Sequence, residues 1–70
     1  MFTIKKENSY FGQFSNEEET HVALRERGWK QVPDTTHFYE VTSEYGHDYY
    51  AEVVELDDRE VWDISTLPKA

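Results

Sequence analysis

The feature that most constrains this chain is a second half that is both acidic and strand-forming. Nine of the fifteen Asp and Glu residues lie between Phe38 and Asp63, where Arg59 is the only Lys or Arg. The same 26 residues are rich in Tyr, Val and Trp, which favour β-strands. Their formal charge, one minus nine or −8, equals that of the whole chain. Because like charges repel one another in a compact sheet, this charge weakens folding and indicates a role outside folding.

The absence of cysteine leaves stability to the hydrophobic core. A chain of 70 residues is near the lower limit for independent folding, because a domain of this size buries only about 60% of its unfolded surface. Aromatic residues make up 16% of the chain and supply a large buried area per side chain. We therefore expect residues 1–70 to form one small acidic domain.

Local patterns in the first half predict two short strands followed by one helix. Phe2–Lys5 alternates apolar and polar residues, and Tyr10–Phe14 can pair with it across a turn. Ser15 and Glu18 have the spacing of a capping box, which predicts a helix over about residues 16–27.

The remaining sequence predicts a brief extended piece and three longer strands. These segments are Trp29–Val32, Phe38–Ser43, Asp48–Leu56 and Glu60–Ile64. The last six residues, Ser65–Ala70, have no pattern and are expected to fray. The predicted fold is α+β: a small antiparallel sheet of four to six strands, roughly ββαβββ, with one helix packed on one face.

The predicted faces of the sheet depend on the hairpin closed at Tyr45-Gly46. An ordinary turn there places Phe38 opposite Val53, and a one-residue bulge would exchange the faces beyond it. The predicted core face carries Phe38, Tyr49, Ala51, Val53, Trp62 and Ile64. The predicted exposed face carries Tyr39, Val41, Asp48, Tyr50, Glu52, Val54, Val61 and Asp63.

No motif for catalysis or cofactor binding is present. His21, His37 and His47 fall on the helix, a strand start and a turn, and no two of them have the i, i+4 spacing of a helical metal pair. The chain also lacks a nucleophile motif and a Gly-rich phosphate loop. We therefore expect a non-enzymatic protein with no catalytic residue, cofactor or metal.

The acidic charge limits the classes of partner. Contacts to nucleic acid or anionic lipid need clustered Lys and Arg, which this chain lacks, so neither direct nucleic-acid binding nor membrane binding is expected. Residues 1–6 contain no apolar run like that of a signal peptide, and no segment approaches the roughly 18 apolar residues of a membrane span. The expected location is the cytoplasm.

The predicted exposed face is the strongest candidate for a partner-binding surface. Its candidate residues are Tyr39, Asp48, Tyr50, Glu52 and Asp63. Tyr is enriched at interfaces, and regularly placed carboxylates can imitate a nucleic-acid backbone to a basic groove. An ordinary solvated sheet face has the same composition and stays an alternative.

In size, charge and lack of cysteine the chain resembles small acidic phage proteins that disarm restriction enzymes, CRISPR effectors or polymerases. This resemblance is one of class and rests on no motif. It implies a non-enzymatic inhibitor that occludes a basic, nucleic-acid-handling site on a larger protein. The alternative is a homodimer or larger homo-oligomer, with a structural or regulatory role, that pairs through Tyr39, Val41, Tyr50 and Val54 of the same face.

Overall fold

The computed structural model describes residues 1–70 and shows a five-stranded antiparallel sheet with one helix. The elements are β1 (Phe2–Lys6), β2 (Ser9–Phe14), α1 (Glu17–Glu26), β3 (Lys30–Gln31), β4 (Phe38–Thr42) and β5 (Asp48–Glu55). The strands lie in the spatial order β2-β1-β5-β4-β3, so β1 and β5 pair at the centre of the sheet. The predicted α+β class and the ββαβββ order are confirmed.

The helix begins at the point that its capping residues specify, one residue later than predicted. Asn16 is the N-cap, and its side-chain oxygen accepts the backbone N–H of Glu19 at 2.9 Å. The Glu19 carboxylate in turn accepts the backbone N–H of Ser15 at 3.1 Å. These two reciprocal hydrogen bonds take the place of the capping box predicted for Ser15 and Glu18. The helix has ten residues, and no helix of the protein is long and apolar enough to cross a membrane.

The helix covers one face of the sheet and closes a single core. The core residues are Ile4, Phe11, Leu24, Trp29, Tyr39, Val41, Ala51, Val53 and Leu67. Burial alternates along β4 and β5, because successive side chains of a strand point to opposite faces. The helix contributes Leu24, which is fully buried.

The predicted faces are right for β5 and wrong for β4, because the hairpin loop contains an odd number of residues. Residues 43–47 form the loop, so Tyr39 pairs with Ala51 and Phe38 pairs with Glu52. A shift of one residue in the pairing turns every side chain of a strand to the other face. Tyr39 is therefore buried in the core, and Phe38 is 45% exposed.

The strand predicted at Glu60–Ile64 is absent. Both edges of β5 are already occupied, by β1 and β4, so the chain that follows β5 cannot pair with it. It runs instead beside β2, where the Trp62 N–H donates to the Tyr10 carbonyl at 2.7 Å and the Trp62 carbonyl accepts from the Gly12 N–H at 2.9 Å. Trp62, predicted in the core, is consequently 60% exposed.

The last six residues are packed against the fold, which corrects the prediction that Ser65–Ala70 frays. Leu67 is 2% exposed and belongs to the core. The Trp29 indole N–H donates to the Pro68 carbonyl at 2.7 Å, and the Arg27 guanidinium donates to the Leu67 carbonyl at 2.9 Å. These bonds fix the segment across the end of the helix.

Candidate functional site

The five residues predicted to bind a partner do not share one surface. Asp48, Tyr50 and Glu52 alternate along β5 and point away from the helix. Tyr39 belongs to the core, so its predicted place on the exposed face is wrong for the register reason given above. Asp63, predicted on that same face, lies in the segment after β5, where its carboxylate caps the 3₁₀ turn Ile64–Thr66.

We call the sheet face opposite α1 the outer face. Its accessible side chains on β1, β3, β4 and β5 are Lys5, Lys30, Phe38, Glu40, Thr42, Asp48, Tyr50, Glu52 and Val54. Tyr50 is 65% exposed and Phe38 is 45% exposed, so these two rings are its largest accessible apolar groups. Glu40 lies directly opposite Tyr50 on the neighbouring strand. The outer face therefore combines exposed aromatic rings with adjacent carboxylates.

The outer face itself is close to neutral. Its three acids on β4 and β5, Glu40, Asp48 and Glu52, face two bases on β1 and β3, Lys5 and Lys30, for a formal charge of −1 over these four strands. Each lysine is the cross-strand partner of an acid, with Lys5 opposite Glu52 and Lys30 opposite Glu40. Most of the acidic residues lie elsewhere on the protein. The net charge of −8 therefore produces a negative potential around the whole molecule, and the carboxylates do not form a regular array on one face.

A cleft of about 500 Å³ opens at the edge of the outer face, where β3 begins beside β4. It is lined by Gly28, Lys30, Glu40, Val41, Thr42, Asp48, Tyr50 and Ala70. The Thr42 hydroxyl donates to the Asp48 carboxylate at 2.7 Å and holds it in place. Asp48 and Tyr50 are two residues apart on one strand, which places them about 7 Å apart along the same face. Two carboxylates beside an aromatic ring are suitable for binding a guanidinium or ammonium group.

A second constellation lies on the helix side of the sheet. We call Glu17, His21 and His37 the His–Glu cluster. The two imidazole rings are 5.7 Å apart between centroids. The Glu17 Oε1 atom lies 3.4 Å from His21 Nε2 and 2.5 Å from His37 Nε2. Two of the three histidines that the sequence left separate are therefore neighbours, whereas His47 is exposed on the β4–β5 loop.

Both imidazoles of the cluster are oriented by hydroxyl groups. His21 Nδ1 is 2.5 Å from the Tyr39 hydroxyl, and His37 Nδ1 is 2.7 Å from the Thr36 hydroxyl. Their Nε2 atoms consequently converge on one carboxylate oxygen. The hydrogen bond with His21 is the main cause that lowers the pKa of the Glu17 carboxyl; desolvation, the next largest effect, opposes it, and the hydrogen bond with His37 lowers the pKa further.

Sequence reasoning missed this cluster, although one signal was available. Glu17 and His21 have the i, i+4 spacing that places two side chains on the same helix face, but only His–His pairs were considered. His37 follows from the strand register. It precedes Tyr39 by two residues and so points to the same side, and the register error had put that side of β4 in solvent.

No protein-family model, no curated protein and no solved structure matches this chain. The chemistry of its own surfaces is therefore the basis for a functional proposal.

Proposed function

We propose that this protein is a non-enzymatic binding protein that occludes a basic site on a larger, nucleic-acid-handling protein. The outer face makes the contact. One observation carries the proposal: Tyr50 is 65% exposed on a central strand and has carboxylates on three sides. Asp48 and Glu52 flank it along β5, and Glu40 lies opposite. Exposed aromatic residues ringed by polar groups are typical of interface anchors.

The net charge of −8 supplies long-range attraction to such a partner. Charge complementarity raises the association rate above the neutral range of about 10⁵–10⁶ M⁻¹s⁻¹ and suppresses encounters with acidic proteins. The attraction is screened by salt, because the Debye length falls from about 10 Å at 0.1 M to about 3 Å at 1 M ionic strength. Acids on every side of the sheet contribute to this steering, including those far from the contact.

The short-range contact assigns separate roles to neighbouring residues. An arginine of the partner enters the cleft between Glu40 and Asp48 and stacks on the Tyr50 ring, which arginine does better than lysine. Lys5 repels cationic groups beside the cleft, and Lys30, which lines the cleft, limits it to one cationic group; the two lysines so set the register of the complex. This arrangement selects a basic partner with one projecting arginine over a uniformly basic surface.

The self-association alternative has lost half of its predicted contact residues. Of the four residues expected to pair with their own copies, Tyr39 and Val41 are buried in the core. Tyr50 and Val54 are left, and each copy carries a net charge of −8 that opposes dimerisation. Light scattering after size exclusion, at low and high salt, measures this directly. If the protein is a dimer and Tyr50→Ala makes it a monomer, self-association replaces the function proposed here.

The proposal is tested by quantitative capture from a lysate of the source organism. The matched baits are wild type, Tyr50→Ala on the outer face, and Tyr45→Ala on the β4–β5 loop, where Tyr45 is 81% exposed. The expected result is a nucleic-acid-handling protein, identified by mass spectrometry, that wild type and Tyr45→Ala retain and Tyr50→Ala loses. Equal recovery on all three baits would refute the outer face as the contact.

Charge is tested with two double variants of equal net charge. Glu40→Gln with Glu52→Gln alters the outer face, whereas Glu44→Gln with Asp58→Gln alters two exposed loops. Both pairs should slow association with the captured protein, because both weaken the field. Only the outer-face pair should also speed dissociation. Faster dissociation of the loop pair alone would place the contact at the loops.

A further inference from the structure

We propose that Glu17, His21 and His37 form a binding site for a zinc ion. The site goes beyond the function proposed above, since it lies on the helix side of the sheet and uses none of the outer-face residues. It would connect the first turn of α1 to the start of β4, two elements that no covalent cross-link joins.

The three side chains bring their ligand atoms into the range that a zinc site needs. One atom from each of the three side chains lies within 4.8 Å of the others. Zinc holds nitrogen and oxygen ligands at about 2.0–2.1 Å, which puts neighbouring ligand atoms roughly 3.4 Å apart in a tetrahedron. The distance of 3.4 Å between His21 Nε2 and Glu17 Oε1 already has this value.

One side chain must move for the ion to enter. His37 Nε2 is 2.5 Å from Glu17 Oε1, a hydrogen-bond distance that zinc would lengthen by about 1 Å. The His37 side chain is 40% exposed, so it can withdraw without repacking the core. The exposed sides of Glu17 and His37 also leave a fourth position for water and a path for the ion.

The hydrogen bonds around the cluster prepare the histidines as ligands. A histidine binds zinc through a ring nitrogen that carries no proton, and the other nitrogen then donates its N–H to a neighbouring acceptor. The Tyr39 hydroxyl lies beside His21 Nδ1 and the Thr36 hydroxyl beside His37 Nδ1, and both oxygens can accept such a hydrogen bond. Both Nε2 atoms are then free to bind the ion. Tyr39 is fully buried, so the orientation of His21 is fixed by the core.

The donor set selects the class of metal. Two imidazoles and one carboxylate, with a water in the fourth position, are a ligand set of zinc in proteins. Calcium and magnesium prefer sites made of oxygen ligands. The competing explanation for the close approach of the three side chains is protonation. A charged imidazole paired with the Glu17 carboxylate would hold them together without a metal ion.

Isothermal titration of zinc chloride into the untagged protein distinguishes the two. The expected result is one ion per chain, with affinity that falls on acidification, because protons compete for the imidazoles. Glu17→Gln and His37→Gln should each weaken binding at least tenfold. The controls Glu18→Gln, in the same helical turn, and His47→Gln, on the β4–β5 loop, should bind as wild type does.

A measurement on wild type alone guards against variants that fold poorly. Zinc should shift the imidazole NMR signals of His21 and His37 and leave those of His47 in place. The proposal is overturned if zinc produces neither heat nor shifts. It is also overturned if His47→Gln abolishes binding, or if Glu17→Gln and His37→Gln both bind zinc as wild type does.

Discussion

Replacing Tyr39 and Tyr50 by alanine, one at a time, tests which face of the sheet is buried and which is exposed. Tyr39 is fully buried, with its hydroxyl bonded to His21, and Tyr50 is 65% exposed. Replacing a large buried aromatic residue by alanine costs about 3–5 kcal/mol, and the lost hydrogen bond adds roughly 1 kcal/mol. A domain this small has a total stability near the low end of about 5–15 kcal/mol. Tyr39→Ala should therefore be at the edge of unfolding, whereas Tyr50→Ala should stay within about 1 kcal/mol of wild type.

Urea unfolding followed by circular dichroism measures both effects. Small proteins lose roughly 1 kcal/mol of stability per molar urea, so Tyr39→Ala should lower the midpoint by about 4 M or more, or lack a folded baseline. Tyr50→Ala should lower it by less than about 1 M. Tyr39→Phe, which keeps the ring and removes the hydroxyl, is the control and should lie between them. A lower midpoint for Tyr50→Ala than for Tyr39→Ala would refute the hairpin register and the assignment of the outer face.

Two further predictions follow from the segment after β5. Leu67→Ala should cost about 2–5 kcal/mol as a core truncation, whereas Lys69→Ala should have little effect; equal urea midpoints for the two would mean that the segment is not docked. The hydrogen bonds from Ser65 hold the pKa of Asp63 below its usual range. The ionised form is thus favoured in the folded state, and Asp63 stabilises the fold above the unfolded pKa of about 3.9 and loses this effect as pH falls through the lower folded value. Asp63→Asn should therefore be less stable than wild type at pH 7 and equally stable in strong acid, and a difference that grows on acidification would contradict this.

The parts of the fold that the sequence predicted are those specified by local signals. The helix follows from acids in its first turn and a capping residue before it, and both act within a few residues. The first two strands and β5 follow from alternation and from β-forming residues. The predicted facing of β4 was wrong because it depends on the exact length of the hairpin loop. A five-residue loop turns β4 to the opposite face from a four- or six-residue loop, and the composition of the loop does not distinguish these lengths. Phe38 and Tyr39 therefore exchanged places.

The segment after β5 and the His–Glu cluster depend on contacts between distant residues. Trp62 resembles a core residue in sequence, but the sheet order leaves it only the edge of β2 to pair with. Leu67 enters the core from a segment with no pattern of its own. The cluster needs both the helix face of Glu17 and His21 and the strand face of His37. Such long-range geometry is set by the assembled sheet and not by local propensity.

The central claim is that the outer face, and not the more acidic segment after β5, binds basic partners. An NMR titration of the isotopically labelled protein with a short arginine-rich peptide tests this without knowledge of the partner. The largest backbone shifts should fall on Glu40, Asp48 and Tyr50, around the cleft, and Tyr50→Ala should reduce them. Residues 57–63 contain four acids and are the competing site. Largest shifts in that segment, unchanged in Tyr50→Ala, would contradict the proposed function.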